Sequence, residues 1–151
     1  MLFLLFRLDD NRYALDASQI VEILPVCSIE KLAGAPPAVV GIFNYHGSFV
    51  PAIDLNELAF GRPATLRLST RIILLRYAEA NRTPRLLALI AEHATETMRC
   101  DPSDFVSPGI ASDNALYLGP IATGPSGSVQ RIDLNKLLPR PLHDLVFGEP
   151  A

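Results

Sequence analysis

Three histidines, two cysteines and two carboxylates in matching contexts are the groups of this chain with reactive potential. Asp54 and Asp133 could serve as a general acid and base, which would require two carboxyl groups facing one substrate in contrasting environments. Their surroundings point elsewhere. Ile53-Asp54-Leu55-Asn56-Glu57-Leu58 recurs as Ile132-Asp133-Leu134-Asn135-Lys136-Leu137, each after a valine-containing strand candidate. An aspartate there can leave the strand and accept backbone N–H groups as the cap of a helical turn. Glu57 makes the first copy an approximate capping box, and Lys136 makes the second a simple cap. His46, His93 and His143 are scattered with no second ligand three or four residues away, so no metal is expected. Gly124-Pro125-Ser126-Gly127 resembles a nucleophile elbow, but its second glycine comes one residue early and a tight turn is expected. Cys27 and Cys100 are too far apart for a CxxC or zinc spacing, and the expectation is two buried apolar thiols in a reducing compartment. Phosphate-binding glycine motifs, HExxH and Cys/His signatures are lacking, so no cofactor and no catalytic residue is expected.

The elements that would position these groups are short. Leu2 to Leu8 and Tyr13 to Asp16, separated by Asp9, Asp10, Asn11 and Arg12, read as a hairpin. Further strands are expected at 20–24, 40–45, 48–54, 70–78, 85–92, 95–100, 116–122 and 128–134, punctuated mostly by Gly, Pro, Asn or Asp. Ten short strands predict an all-β sandwich or barrel, and the repeated strand-to-helix corner predicts two related subdomains of about five strands each. Helices are expected to be brief. Pro36 and Pro37, with Gly41 as a stop, frame about one turn, and residues 101–114 read as a surface connection with a turn near Asp104.

Composition narrows the function. The 151 residues are 49% hydrophobic and 19% charged, which predicts one folded core rather than a disordered chain. A net charge of -3 lacks the basic excess that would hold a phosphate backbone, so nucleic acid is not an expected partner. Arg7 ends the apolar start well short of a signal sequence. No run approaches the roughly 18 apolar residues of a membrane span, so a soluble protein without direct membrane insertion is expected. Two segments then stand out as surface. Tyr45-His46-Gly47-Ser48-Phe49 is either a plain hairpin tip or a protein-binding loop. Ile20, Val21, Ile23 and Leu24 around Glu22 form either a buried strand with one solvated charge or an apolar contact edge.

Phe6-Arg7-Leu8, Tyr13 to Asp16, Val21-Glu22-Ile23, Pro37, Gly41-Ile42-Phe43-Asn44, Gly47 and Val50-Pro51-Ala52-Ile53-Asp54-Leu55 follow the pattern of CheW-like domains, the adaptors of bacterial chemosensory arrays. The resemblance is dense over residues 3–58, recognisable as strand pattern over 70–100, and thin beyond except at Ile132-Asp133-Leu134. It implies two intertwined five-stranded SH3-like β-barrel subdomains with short helical turns, sharing residues 1–151 as a single domain. It also implies a non-catalytic, cytoplasmic scaffold, associated with receptor arrays through protein contacts. Its partners would be the cytoplasmic tip of a chemoreceptor and the regulatory domain of a CheA-type histidine kinase. Carried over by position, Ile20, Glu22, Gly41, Asn44 and His46 fall where the family contacts its partners, mainly the receptor tip, and with Ile23 of the apolar edge and Gly47 of the turn they form the expected protein-binding surface. His46 departs from the family, which usually has arginine in an Asn-x-Arg-Gly turn, and Ala91-Glu92-His93 departs from the usual Val-Asp strand end. A specialised paralogue is therefore expected. The alternatives are a small β-barrel enzyme using Asp54 or His46, and an adaptor that binds kinase but not receptor.

Overall fold

The apolar runs within Leu2–Leu8 and Arg71–Tyr77 lie in strands that are buried on both faces. The computed structural model describes residues 1–27, 29–77, 83–107, 109, 118–124 and 127–147. Its strands are β1 (Leu2–Leu8), β2 (Asn11–Asp16), β3 (Ile20–Pro25), β4 (Val39–Tyr45), β5 (Ser48–Asp54), β6 (Arg71–Tyr77), β7 (Arg85–Arg99), β8 (Leu118–Gly124) and β9 (Gly127–Ile132). Two short helices, α1 (Leu55–Phe60) and α2 (Arg140–Phe147), complete the framework. Along β6, Ile72 and Leu74 point into one apolar cluster with Phe43, Val50, Ala88 and Ile90. Ile73 and Leu75 point into another with Leu4, Phe6, Leu15, Leu87 and Leu137. β1 does the same: Phe3 and Leu5 meet Phe105, Ala122 and Val129, whereas Leu4, Phe6 and Leu8 face the shared central cluster. Side chains alternate across a strand, so a strand covered on both sides reads as a continuous apolar run.

The pairings divide into two groups with one pattern. The first runs β3-β6-β7-β5-β4, and the second β7-β1-β2-β9-β8. In each, two antiparallel steps are followed by a parallel one and a final antiparallel hairpin. The parallel steps are β5 on β7 through Ala52↔Ala88 and Ile53↔Leu89, and β2 on β9 through Tyr13↔Gln130 and Ala14↔Arg131. The repeated corner follows the parallel-paired strand in both groups, with α1 after β5 and a 3-10 turn over Leu134–Lys136 after β9. The second and third strands of the second group are β1 and β2, from the start of the chain, and this is how the two halves interlock. Among the described residues the outer strands of each group do not pair with one another, so neither group closes into a full barrel.

Ten expected strands become nine among the described residues because 85–92 and 95–100 are one strand serving both groups. Arg85 to Ala91 pair with β6, and Glu92 to Arg99 pair with β1. The sequence break between them is a bulge: Leu5 stands opposite Glu96 and Arg7 opposite Glu92. His93 takes a left-handed φ of 51° there, and the next N–H, of Ala94, bonds the Ser69 carbonyl at 3.2 Å. Glu92 accepts a 2.5 Å hydrogen bond from Nδ2 of Asn56, tying α1 to the corner.

Other expectations change. Pro36 to Gly41 is not a helical turn. Val39 N–H bonds the Pro36 carbonyl at 2.9 Å in a single tight turn, and β4 begins at once, because the β-branched pair Val39 and Val40 suits a strand. Neither cysteine is buried: Cys27 is exposed beyond the end of β3, and Cys100 is partly exposed. Both lie just outside the regular strands that build the core. The connection after β7 has its expected turn, a 3-10 segment over Pro102–Asp104 capped by Asp101, while positions 110–114 lie outside the described residues. So do 78, 116 and 117 of the expected strands and Pro125 and Ser126 of the expected turn, whose flanking Gly124 and Gly127 pair.

Candidate protein-binding surface

β3 and β4 are the outer strands of the first group, and side chains join them where the backbone does not. The Tyr45 hydroxyl donates to Oε2 of Glu22 over 2.6 Å. That bond, with lesser contributions from desolvation and the nearby charge, holds the Tyr45 pKa above its ordinary value of 10.0. Beyond Tyr45 the chain reverses in two residues, His46 at φ 49° and Gly47 at φ 87°, with Tyr45 paired to Ser48. Positive φ at both central positions is the geometry of a type I′ hairpin turn, usually filled by Asn-Gly. Asn44 secures it by accepting the Gly47 N–H at 2.9 Å. The His46 ring meets the Tyr45 ring edge-on, centroids 4.4 Å apart.

Glu22, Asn44, His46 and Gly47 are thereby brought together at one end of the seam. Ile20 is only half-buried yet packs against the central core, whereas Ile23 and Val21 are each 40% exposed. Gly41 is buried further back along β4. A Cβ on it would lie 1.9 Å from the Glu30 carbonyl oxygen, because Glu30 and Ile42 exchange backbone hydrogen bonds of 2.9 and 2.7 Å across that point.

A groove of about 420 Å³ lies nearby, lined by Leu32, Ile42, Phe49, Pro51, Leu145 and Val146 among others. Phe49, 70% exposed, is the cross-strand partner of Asn44 and links the groove to the turn. Sequence reasoning placed Phe49 beside the turn but missed the groove. Its other wall comes from α2, and no local pattern announces that contact.

Asp54 sits elsewhere, 6% exposed at the start of α1. One carboxylate oxygen accepts the N–H groups of Asn56 and Glu57 at 2.9 and 3.3 Å, and the other accepts that of Ala64 at 2.8 Å. The Asp54 N–H bonds the Ala38 carbonyl at 2.9 Å, so the reciprocal half of a capping box has no free donor to serve. Among the described residues no three His, Cys, Asp or Glu side chains gather into a metal-binding cluster. No helix among them is long and apolar enough to cross a membrane.

Comparison with known proteins agrees with this architecture. The chain is 28% identical over 120 residues to the chemotaxis protein CheW of Helicobacter pylori, covering 78% of this chain and 69% of that protein. It is 25% identical over 134 residues to CheW of Treponema pallidum, covering 87% and 78%. With CheW of Klebsiella aerogenes it shares 23% over 96 residues, covering 64% of this chain and 55% of the relative. The crystal structure of the scaffolding protein TtCheW from Thermoanaerobacter tengcongensis superposes with a TM-score of 0.79 at 23% identity, covering 98% of this chain and 90% of that one. Residues 2–141 match the profile of the CheW-like domain, and the chain belongs to that family.

Proposed function

We propose that this chain is a non-catalytic adaptor that couples the cytoplasmic tip of a chemoreceptor to the regulatory domain of a CheA-type histidine kinase. In this reading residues 1–151 act as one CheW-like domain, in the cytoplasm, held at receptor arrays through protein contacts. The observation that carries the proposal is the joining of Glu22, Tyr45 and His46 at the exposed end of the β3–β4 seam. A rigid turn and a fixed carboxylate, with the exposed Val21 on the same outer strand and Ile23 on that strand's opposite face, give this edge both oriented polar groups and apolar area, as recognition surfaces do. Asp54, the enzyme alternative's carboxylate, is occupied by three backbone N–H groups, which favours the structural duty.

The test is a pull-down with a receptor cytoplasmic fragment and a kinase regulatory domain, followed by reconstitution of receptor-controlled kinase activity. Ile23→Asp is the informative variant, because its side chain is exposed, whereas Ile20→Asp also strikes the core. Ile23→Asp is expected to melt like the natural protein and lose at least one partner. Retention of both partners by the folded variant would remove this surface from the proposal. Kinase retained with receptor binding absent from the natural protein would select the kinase-only adaptor instead.

A further inference from the structure

The connector between β3 and β4 is pinned at Glu30, through its two bonds to Ile42, and at the Pro36–Val39 turn. It borders not one groove but two. The second, of about 470 Å³, opens between this connector and the Pro63–Leu66 segment, and it shares Leu32, Ala35 and Val39 with the first. Val26, Ile29, Val40, Leu66 and Ile90 make its lining predominantly apolar, and only two charged side chains take part. One is Asp54, buried and occupied by three N–H groups. The other is Lys31, exposed, with no carboxylate at salt-bridge distance among the described residues.

The segment that leaves the groove continues this character. Leu66, 69% exposed, belongs to the lining, and the chain runs on from it through Arg67, also exposed and without a carboxylate partner among the described residues, to Leu68, 97% exposed. Scattered apolar side chains are ordinary on a surface, but exposed leucines that continue an apolar groove form a patch of the kind partners cover. Cations without local partners beside such a patch favour an occupant of opposite charge. Leu68 lies outside the lining of the groove, so contact that uses it extends beyond a small molecule held in the cavity.

We propose that this second groove takes a short acidic segment of a partner protein, its large apolar side chains filling the groove and its carboxylates meeting Lys31 and Arg67. This surface contains none of the Glu22–His46 cluster and can be tested without either chemosensory partner. The probe is a fluorescently labelled peptide of Glu, Leu and Phe, compared by anisotropy with the same peptide bearing Lys in place of Glu. The acidic peptide is expected to bind saturably, more weakly as salt is raised, and roughly tenfold or more weakly to Lys31→Glu/Arg67→Glu protein of unchanged melting temperature. Amide shifts on titration are expected at Ile29, Ala64 and Leu66. Equal binding of both peptides, equal binding by the charge-reversed protein, or shifts centred on Phe49 and Leu145 would overturn the proposal. So would absence of saturable binding by the acidic peptide, and sedimentation on anionic phospholipid vesicles that Leu68→Ser abolishes would then assign the patch to a lipid surface.

Discussion

Tyr45 and Glu22 belong to the two outer strands of the first group, and their 2.6 Å hydrogen bond spans a seam that no backbone ladder closes there. The bond exists only while the phenol keeps its proton, and it raises the Tyr45 pKa above 10.0. A raised pKa means that the stabilising contribution is complete below the ordinary tyrosine value and is lost as pH rises through the folded value. In an alkaline absorbance titration Tyr45 is expected to ionise late, as is Tyr13, which burial shifts the same way. Glu22→Ala is expected to bring one late tyrosine back toward 10.0, and Tyr45→Phe to remove it. An unchanged titration curve in Glu22→Ala would show that the bond is not formed in solution.

Gly41 supplies a second constraint on the same strand. Any Cβ there would sit 1.9 Å from the Glu30 oxygen, so β4 and the connector must separate. Gly41→Ala is expected to cost about 1–3 kcal/mol, the usual range for forced overpacking, measured by denaturant unfolding. Amide exchange at Glu30 and Ile42 is expected to speed up, since they hold the pinching hydrogen bonds. Natural stability in this variant would mean that the connector is free to move away.

Asp54→Ala removes the acceptor of three backbone N–H groups at a buried corner. The expected loss is near the upper end of the capping range, about 2 kcal/mol, with Asp54→Asn recovering part of it. Partner binding by the folded variant is expected to persist. Lost binding at unchanged melting temperature would move Asp54 from structure to function.

Sequence reading reached most of what depends on neighbours along the chain, although it took the tight turn at Pro36–Val39 for a helical one. The double-sided apolar runs of β1 and β6, the His46-Gly47 reversal and the Ile-Asp-Leu corner each carry their physics within a few residues. What escaped depends on pairing between distant segments. The parallel contacts of β5 with β7 and of β2 with β9 leave no local trace. His93 interrupts the alternation and so looks like a gap between strands, although the strand continues through a bulge. Glu22 and Tyr45 were separately visible as a strand charge and a loop aromatic, but their bond requires the seam between β3 and β4. The groove needed α2, from the far end of the sequence, to arrive beside Phe49.

His46 offers the sharpest test of how the surface is read by a partner. Its backbone position is set by the turn, and its ring is steadied against Tyr45, so a substitution there changes chemistry more than shape. Arginine, which the sequence resemblance leads one to expect at this position, carries a permanent charge and five donors, whereas imidazole gains its charge and second donor only on protonation. If the turn meets a carboxylate of the partner, a permanent charge at this position adds an attraction that salt screens. Calorimetric titration against the receptor fragment is expected to show His46→Arg binding more tightly than the natural protein, with affinity that falls more steeply as salt is raised. No gain in His46→Arg, or a gain that salt leaves unchanged, would leave His46 with only its turn to form and would place partner docking on another face.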